Sequence, residues 1–295
     1  MQVTNDSTPA PETGIYLLAA LLGAVGLAHL GLQLVLGGPW TGPVSWRKPA
    51  TFGMSFGLTL ATVAWVSSLA GVPEGRRSVL LHAYGFASAV EVLVITVQAW
   101  RGLPSHFNTS TPVNAALAYT AAAGGALLIA ATVLLVCTAA RPGAQVAPSM
   151  RLALRAGVAT FAVAVLTGAA MIALGVTAAR SGSLTDAYSA ARALKPAHGA
   201  LMHGMLVLPA LAWMTARTDV PEPQRVRSVA TATAGYLLTA VAWPVAAAAT
   251  AGPVRAGCLG LAGLGGLVLG ATGARAATTW LTHHPHLPQP ARSAP

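Results

Sequence analysis

A polytopic bundle of transmembrane α-helices is the fold class this sequence predicts. Of its 295 residues, 55% are hydrophobic and only 8% are charged, whereas a soluble domain carries roughly 25% charged residues. Mean hydropathy is +0.64. The apolar residues also gather into runs about as long as the 20 residues that cross a bilayer. Too few polar side chains remain to cover a water-soluble surface, and a chain this apolar is not disordered. A disulfide scaffold is excluded too, because the two cysteines, Cys137 and Cys258, both lie inside apolar runs, where a thiol behaves as a small hydrophobe.

The runs predict all-α spans near residues 14–37, 50–70, 79–100, 114–139, 151–178, 196–216, 228–250 and 254–281. The breaks between them carry residues that helices pass through badly: Gly37-Gly38-Pro39, Gly71-Val72-Pro73, Gly102-Leu103-Pro104, Arg141-Pro142-Gly143 and Ala251-Gly252-Pro253. The count is eight, or seven if the last two runs, separated by only a few residues, do not both cross. Residues 1–12, with Pro9 and Pro11, are expected to be a disordered tail, as are residues 283–295. Residues 13–282 are then one transmembrane domain. No basic segment precedes the first run, so it reads as a retained helix rather than a signal peptide. In the last run, Ala262, Gly266, Gly270 and Ala274 predict a small-residue ridge for close helix packing.

Formal net charge is +10. The basic residues come one to three at a time in short loops, without a basic cluster interleaved with aromatics, so nucleic acid is excluded as a partner. Placing both termini in the cytoplasm puts ten of the 17 Lys and Arg residues on the cytoplasmic side and seven opposite. By the positive-inside rule this predicts a plasma-membrane protein with cytoplasmic termini.

Polar residues within spans are costly and therefore point to function. Tyr84, Ser88, Glu91, Ile95 and Gln98 follow steps of three and four and share one face of the third helix. Lys48, Thr51, Ser55, Thr59 and Thr62 form a stripe on the second. The two stripes are expected to face each other across an interior cavity. Glu91 is the deep carboxylate. Three segments add to them: Trp46-Arg47-Lys48-Pro49, then Gln98 through Asn108, then Lys195 through Gly204. All three sit at odd-numbered loops, so one membrane face is expected to gather His29, Arg47, Lys48, Arg101, His106, Lys195, His198 and His203, with Glu91 and Gln98 beneath. Trp40, Trp46 and Trp100 read as interfacial aromatics.

Glu91, Gln98 and His106 are the candidate catalytic residues. His29, His198, His203, Arg47, Lys48 and Arg101 are the candidate cofactor-binding residues. His198 and His203 are five apart and diverge by roughly 140° on an ideal helix, so a metal would need His29 or His106 as a further ligand. The phosphate loop, H-E-x-x-H, dinucleotide fingerprint and Asp-rich diphosphate motif are all absent from the sequence, and the G-x-S-x-G string at Gly53–Gly57 falls inside a predicted helical span rather than on the strand-to-helix turn of a nucleophile elbow.

The run from Arg47-Lys48-Pro49, through Glu91 and Gln98-Ala-Trp-Arg-Gly-x-x-Ser-His-Phe-Asn, to Ala197-His198 and His203 resembles a widespread family of bacterial multi-pass membrane proteins of unassigned activity. The resemblance implies a shared site on one face. It is weakest where Lys195-Pro196 precedes His198 and Leu206-Val207 follows His203.

Three functions follow as expectations. The first is redox chemistry with haem b or a transition metal, held by His29 and His198 or His203, with Arg47, Lys48 and Arg101 neutralising an anion. The second is an intramembrane enzyme, akin in logic to a membrane terpene cyclase, in which Glu91 gives or takes a proton on an isoprenoid or lipid substrate. The third is a small-molecule transporter. The bilayer and a lipophilic or anionic small molecule are the expected partners.

Overall fold

The computed structural model describes residues 10–139, 145–192, 194–249 and 252–283. Within them the chain is helical and carries no strand. The helices are α1 (Ala10–Leu36), α2 (Arg47–Leu69), α3 (Glu74–Trp100), α4 (Pro112–Ala139), α5 (Pro148–Ser181), α6 (Leu184–Arg192), α7 (Lys195–Met202), α8 (Gly204–Thr215), α9 (Glu222–Ala248) and α10 (Pro253–His283). Eight spans are long and apolar enough to cross a membrane, with α7 and α8 together forming the sixth, Lys195–Thr215. The fold is an all-α polytopic bundle, as the composition predicts.

Helix ends differ from the sequence reading in a consistent way. α2 begins at Arg47, α3 at Glu74 and α9 at Glu222, each several residues before its apolar run, because polar first turns extend a span into the interface. α1 takes in Pro11 and Glu12 from the expected tail; residues 1–9 and 284–295 lie outside the described residues. α6 and the interruption at His203 were not legible from hydropathy, since a nine-residue polar helix and a one-residue break leave an apolar profile unchanged.

Apolar burial does not drive helices together in lipid, so close backbone approach matters more. α1 and α2 touch at Gly26 and Gly53: a Cβ on Gly53 would lie 2.7 Å from Gly26 Cα. α9 and α10 meet likewise at Gly235 and Gly265, where a Cβ on Gly235 would sit 2.8 Å from Gly265 O. The ridge expected on α10 is thereby corrected. Its contact face runs through Ala262 and Gly265, whereas Gly266 and Gly270 have open space beside them.

Around Leu60, Leu80, Leu135, Phe161 and Met205 the bundle packs a fully buried core. One end is fastened by Arg77 of α3, which pairs with Glu12 of α1 and donates to Ser67 Oγ and Ala64 O of α2. Glu222 of α9 caps α5 by accepting from Ser149 N at 2.7 Å, a carboxylate placed where the helix macrodipole favours it. At the other end, the α3–α4 loop meets α6, and the candidate site forms there.

Candidate functional site

The α3–α4 loop is fixed before any functional side chain is placed. Gly102, at φ 65°, ends α3, and a Schellman pair follows: Leu103 N donates to Gln98 O at 2.9 Å and Gly102 N to Ala99 O at 3.0 Å. Thr111 caps α4 by accepting from Asn114 N at 3.2 Å, with Pro112 as the first helical residue. Gln98 is fully buried and ties the two ends together. Its amide donates to Pro104 O and Asn114 Oδ1, and its oxygen accepts from Arg101 at 2.7 Å. Arg101 also donates to Asn114 Oδ1 at 3.0 Å. Gln98 and Arg101 therefore hold the loop, Gln98 through both ends of its amide and Arg101 through one guanidinium nitrogen.

His106 sits at the loop's centre. Tyr188 of α6 clamps its backbone, accepting from His106 N at 3.1 Å and donating to His106 O at 3.0 Å. Phe107, held at φ 62°, packs edge-on against the Tyr188 ring at 5.5 Å. Its ring fills a notch on α5 that only Gly175 leaves open. α6 is itself capped: Ser183 N and Oγ donate to Asp186 Oδ2 at 2.9 and 2.8 Å. Those two bonds, the backbone one first, hold the Asp186 carboxyl below its ordinary range. Tyr188 is pushed the other way, upward, mainly by burial.

The imidazole of His106 then connects two helices. Its Nδ1 faces Ser105 Oγ at 2.9 Å and Lys48 Nζ of α2 at 3.4 Å. A lysine ammonium can only donate and the serine hydroxyl can turn to donate as well, so the contact with Lys48 favours Nδ1 as acceptor and the proton on Nε2. Nε2 lies 3.7 Å from Glu91 Oε2, just beyond hydrogen-bond reach. Burial first, then the Lys48 and Lys195 charges, lower the His106 pKa well below its ordinary value, so the ring is neutral at physiological pH. Lys48 also donates to Tyr188 OH at 3.1 Å and lies 4.6 Å from that ring's centre.

Glu91 is 5% exposed, and its Oε2 is buried without a hydrogen-bond partner. It lies nine residues before the end of α3, about 14 Å along the axis. Across from it, Gly124 and Gly125 of α4 leave room for the carboxylate; a Cβ on Gly124 would approach Glu91 Cγ to 3.4 Å. Lys48, His106 and Glu91 thus form a line from the loop end into the bundle. Chemically, such a line can pass a proton: the imidazole accepts one at Nδ1 and releases the other from Nε2, and the carboxylate takes it up to become the neutral acid.

The other expected residues are placed differently. His29 is enclosed by aromatics, stacked on Trp46 at 6.2 Å and edge-on to Trp100 at 6.3 Å. Both its nitrogens are engaged, Nδ1 with Val25 O at 2.8 Å and Nε2 accepting from Trp100 Nε1 at 3.1 Å. Arg47 anchors the α1–α2 loop, donating to Trp40 O at 2.6 Å. His198 donates from Nδ1 to Ala164 O at 2.7 Å and lies over Gly168 of α5. His203 is not at the loop face but mid-span, donating from Nδ1 to Gly199 O at 2.7 Å. The expected metal site does not assemble: among the described residues, no three His, Cys, Asp or Glu side chains gather to hold an ion.

Sequence reading missed Tyr188, Phe107 and Ser105 as parts of the site. Ser105 and Phe107 flank His106 in a segment already singled out, but Tyr188 comes from 82 residues further on and no local pattern marks it. The two polar stripes also part company. The α3 stripe is buried throughout, whereas Ser55, Thr59 and Thr62 of α2 face α7 and α8. No protein-family model, curated protein or solved structure matches the chain.

Proposed function

We propose that this integral membrane protein performs acid–base chemistry within the bundle, with Glu91 as the group that exchanges a proton with a lipophilic substrate. His106 and Lys48 form the path that restores the proton. A carboxylic acid so placed can protonate an alkene or open an epoxide; as the carboxylate it can take a proton back. The observation that carries the reading is the buried, unbonded Oε2 of Glu91 facing the N–H of His106. An unsatisfied carboxylate oxygen inside a bundle is costly, and a site that waits for a substrate or a proton accounts for that cost.

The haem or metal reading draws less support. His29 has both ring nitrogens committed, and His203 is far from the loop face. Proton-coupled transport is favoured by one observation, the interruption of the sixth span at His203, because broken helices mark transporter binding sites.

Lipid profiling of membranes from a host expressing the wild type or Glu91→Gln tests the enzymatic reading. At least one lipophilic species is expected to rise or fall with the wild type only. Identical profiles at equal expression, together with proton-driven solute uptake by the wild type in vesicles, would overturn it in favour of transport.

A further inference from the structure

A second polar feature of the bundle shares no lining residue with the Glu91 site. Between α2 and the α7–α8 interruption lies a small, partly open recess with room for a hydroxyl group. No Lys, Arg, Asp or Glu lines it. Its polar groups are the hydroxyls of Ser55, Thr59 and Thr62 and the imidazole of His203; its apolar groups include Leu58, Met205 and Leu206.

These polar groups differ in what they have free. Thr62 donates back to Leu58 O at 2.7 Å, as a threonine in a helix commonly does. Ser55 and Thr59 make no such bond, and the Thr59 residue is more than nine-tenths buried. His203 donates from Nδ1 to Gly199 O. A carbonyl only accepts, so Nδ1 carries a proton, and in this tautomer of the imidazole the lone pair is on Nε2. The cleft therefore offers two hydroxyl donors and one nitrogen acceptor, none of them committed.

The interruption is what brings His203 there. Gly204 is pressed between Thr160 and Tyr236, Gly157 abuts Gly204 O and Met205 Cα, and Tyr236 donates its hydroxyl to Ala200 O. Pro209, one turn later, offers no N–H to the Met205 carbonyl. His203 is exposed eight residues into the span, roughly 12 Å along the axis. Leu58, at the rim, is 46% exposed, and in a membrane span an exposed leucine faces lipid. The cleft opens sideways.

We infer that this cleft binds a neutral lipophilic alcohol arriving from the bilayer. The ligand's O–H donates to His203 Nε2, its oxygen accepts from Ser55 and Thr59, and its chain lies along Leu58 and Leu206 toward lipid. A charged head is disfavoured because nothing in the lining carries a permanent countercharge. A hydrocarbon without the hydroxyl would leave all three groups unsatisfied.

The test uses the full-length protein in phosphatidylcholine nanodiscs and a tritiated, diazirine-bearing hexadecanol. Photolabelling is expected on the peptides spanning α2 and the α7–α8 interruption, competed by hexadecanol but not by its methyl ether. His203→Phe, and Ser55→Ala with Thr59→Val, should each lower labelling there about tenfold, the size expected for losing a hydrogen bond or two. Label spread evenly over lipid-facing helices, equal competition by the ether, or undiminished labelling of variants that unfold at the wild-type temperature would overturn the assignment. The same variants should leave proton exchange at Glu91 unchanged. That readout separates failure of this cleft from failure of the acid–base reading.

Discussion

His106 is the residue whose environment makes the sharpest demand. Burial and two neighbouring cations hold its folded pKa well below the unfolded value, which is about 6.5. The unfolded chain therefore binds the proton more readily than the folded one. Stability from the neutral ring is complete above about pH 6.5 and falls as pH drops through that value toward the depressed folded pKa. Thermal unfolding in detergent should accordingly show the wild type losing stability below that point, and His106→Gln losing much less. Equal acid sensitivity in both would place the titrating group elsewhere. Glu91 and His106 both stood out in the sequence, since each is a polar residue in an apolar or motif-like setting. Their pairing did not, because it depends on a loop that folds back over α3. Gln98 illustrates the reverse case. Its position on the buried stripe was legible, but its role as the clasp between Arg101, Pro104 and Asn114 needed the geometry of the loop.

Helices were legible as elements to within a few residues, because a span must be about 20 apolar residues long and Gly-Pro pairs mark its ends. Which face of a helix packs was less legible when glycine occurs on every face. α10 carries glycines all round, and the spacing of four at Ala262, Gly266 and Gly270 suggested a ridge that the structure assigns instead to Ala262 and Gly265. The distinction is measurable. Gly53→Val forces a side chain into the backbone of α1 and should destabilise by about 1–3 kcal/mol or more, the range for overpacking. Gly266→Val enters open space and should leave the unfolding temperature nearly unchanged. A larger loss at Gly266 than at Gly53 would mean that α10 packs by the face the sequence suggested. α6 is the element no apolar profile reveals. Its capping box, Ser183 with Asp186, is a local signal that could have located it, and with it Tyr188. Ser183→Ala should cost about 1 kcal/mol, as loss of an N-cap does, and loosen the Tyr188 clamp on His106.

Across the bundle, successive spans alternate in direction, which places the α1–α2, α3–α4 and α5–α7 connections at one end. That is why residues from Lys48, His106 and Tyr188 can meet at all. Reporter fusions after Gly38, Leu103 and Gly182 should report one side of the membrane, and fusions after Ala70 and Ala216 the other. A split within either set would separate residues that the site requires together. In the proposed mechanism Lys48 and His106 conduct a proton to Glu91. Time-resolved infrared spectroscopy of the reconstituted protein in H₂O and D₂O tests it most directly, through the carboxyl band that Glu91→Gln removes. The wild-type band should respond to pH and exchange rapidly, whereas His106→Gln and Lys48→Met should keep the band but slow its exchange about 100-fold or more, the scale of a lost acid–base group. A band that exchanges equally fast in all three proteins, or that never responds to pH, would rule out proton transfer through Lys48 and His106.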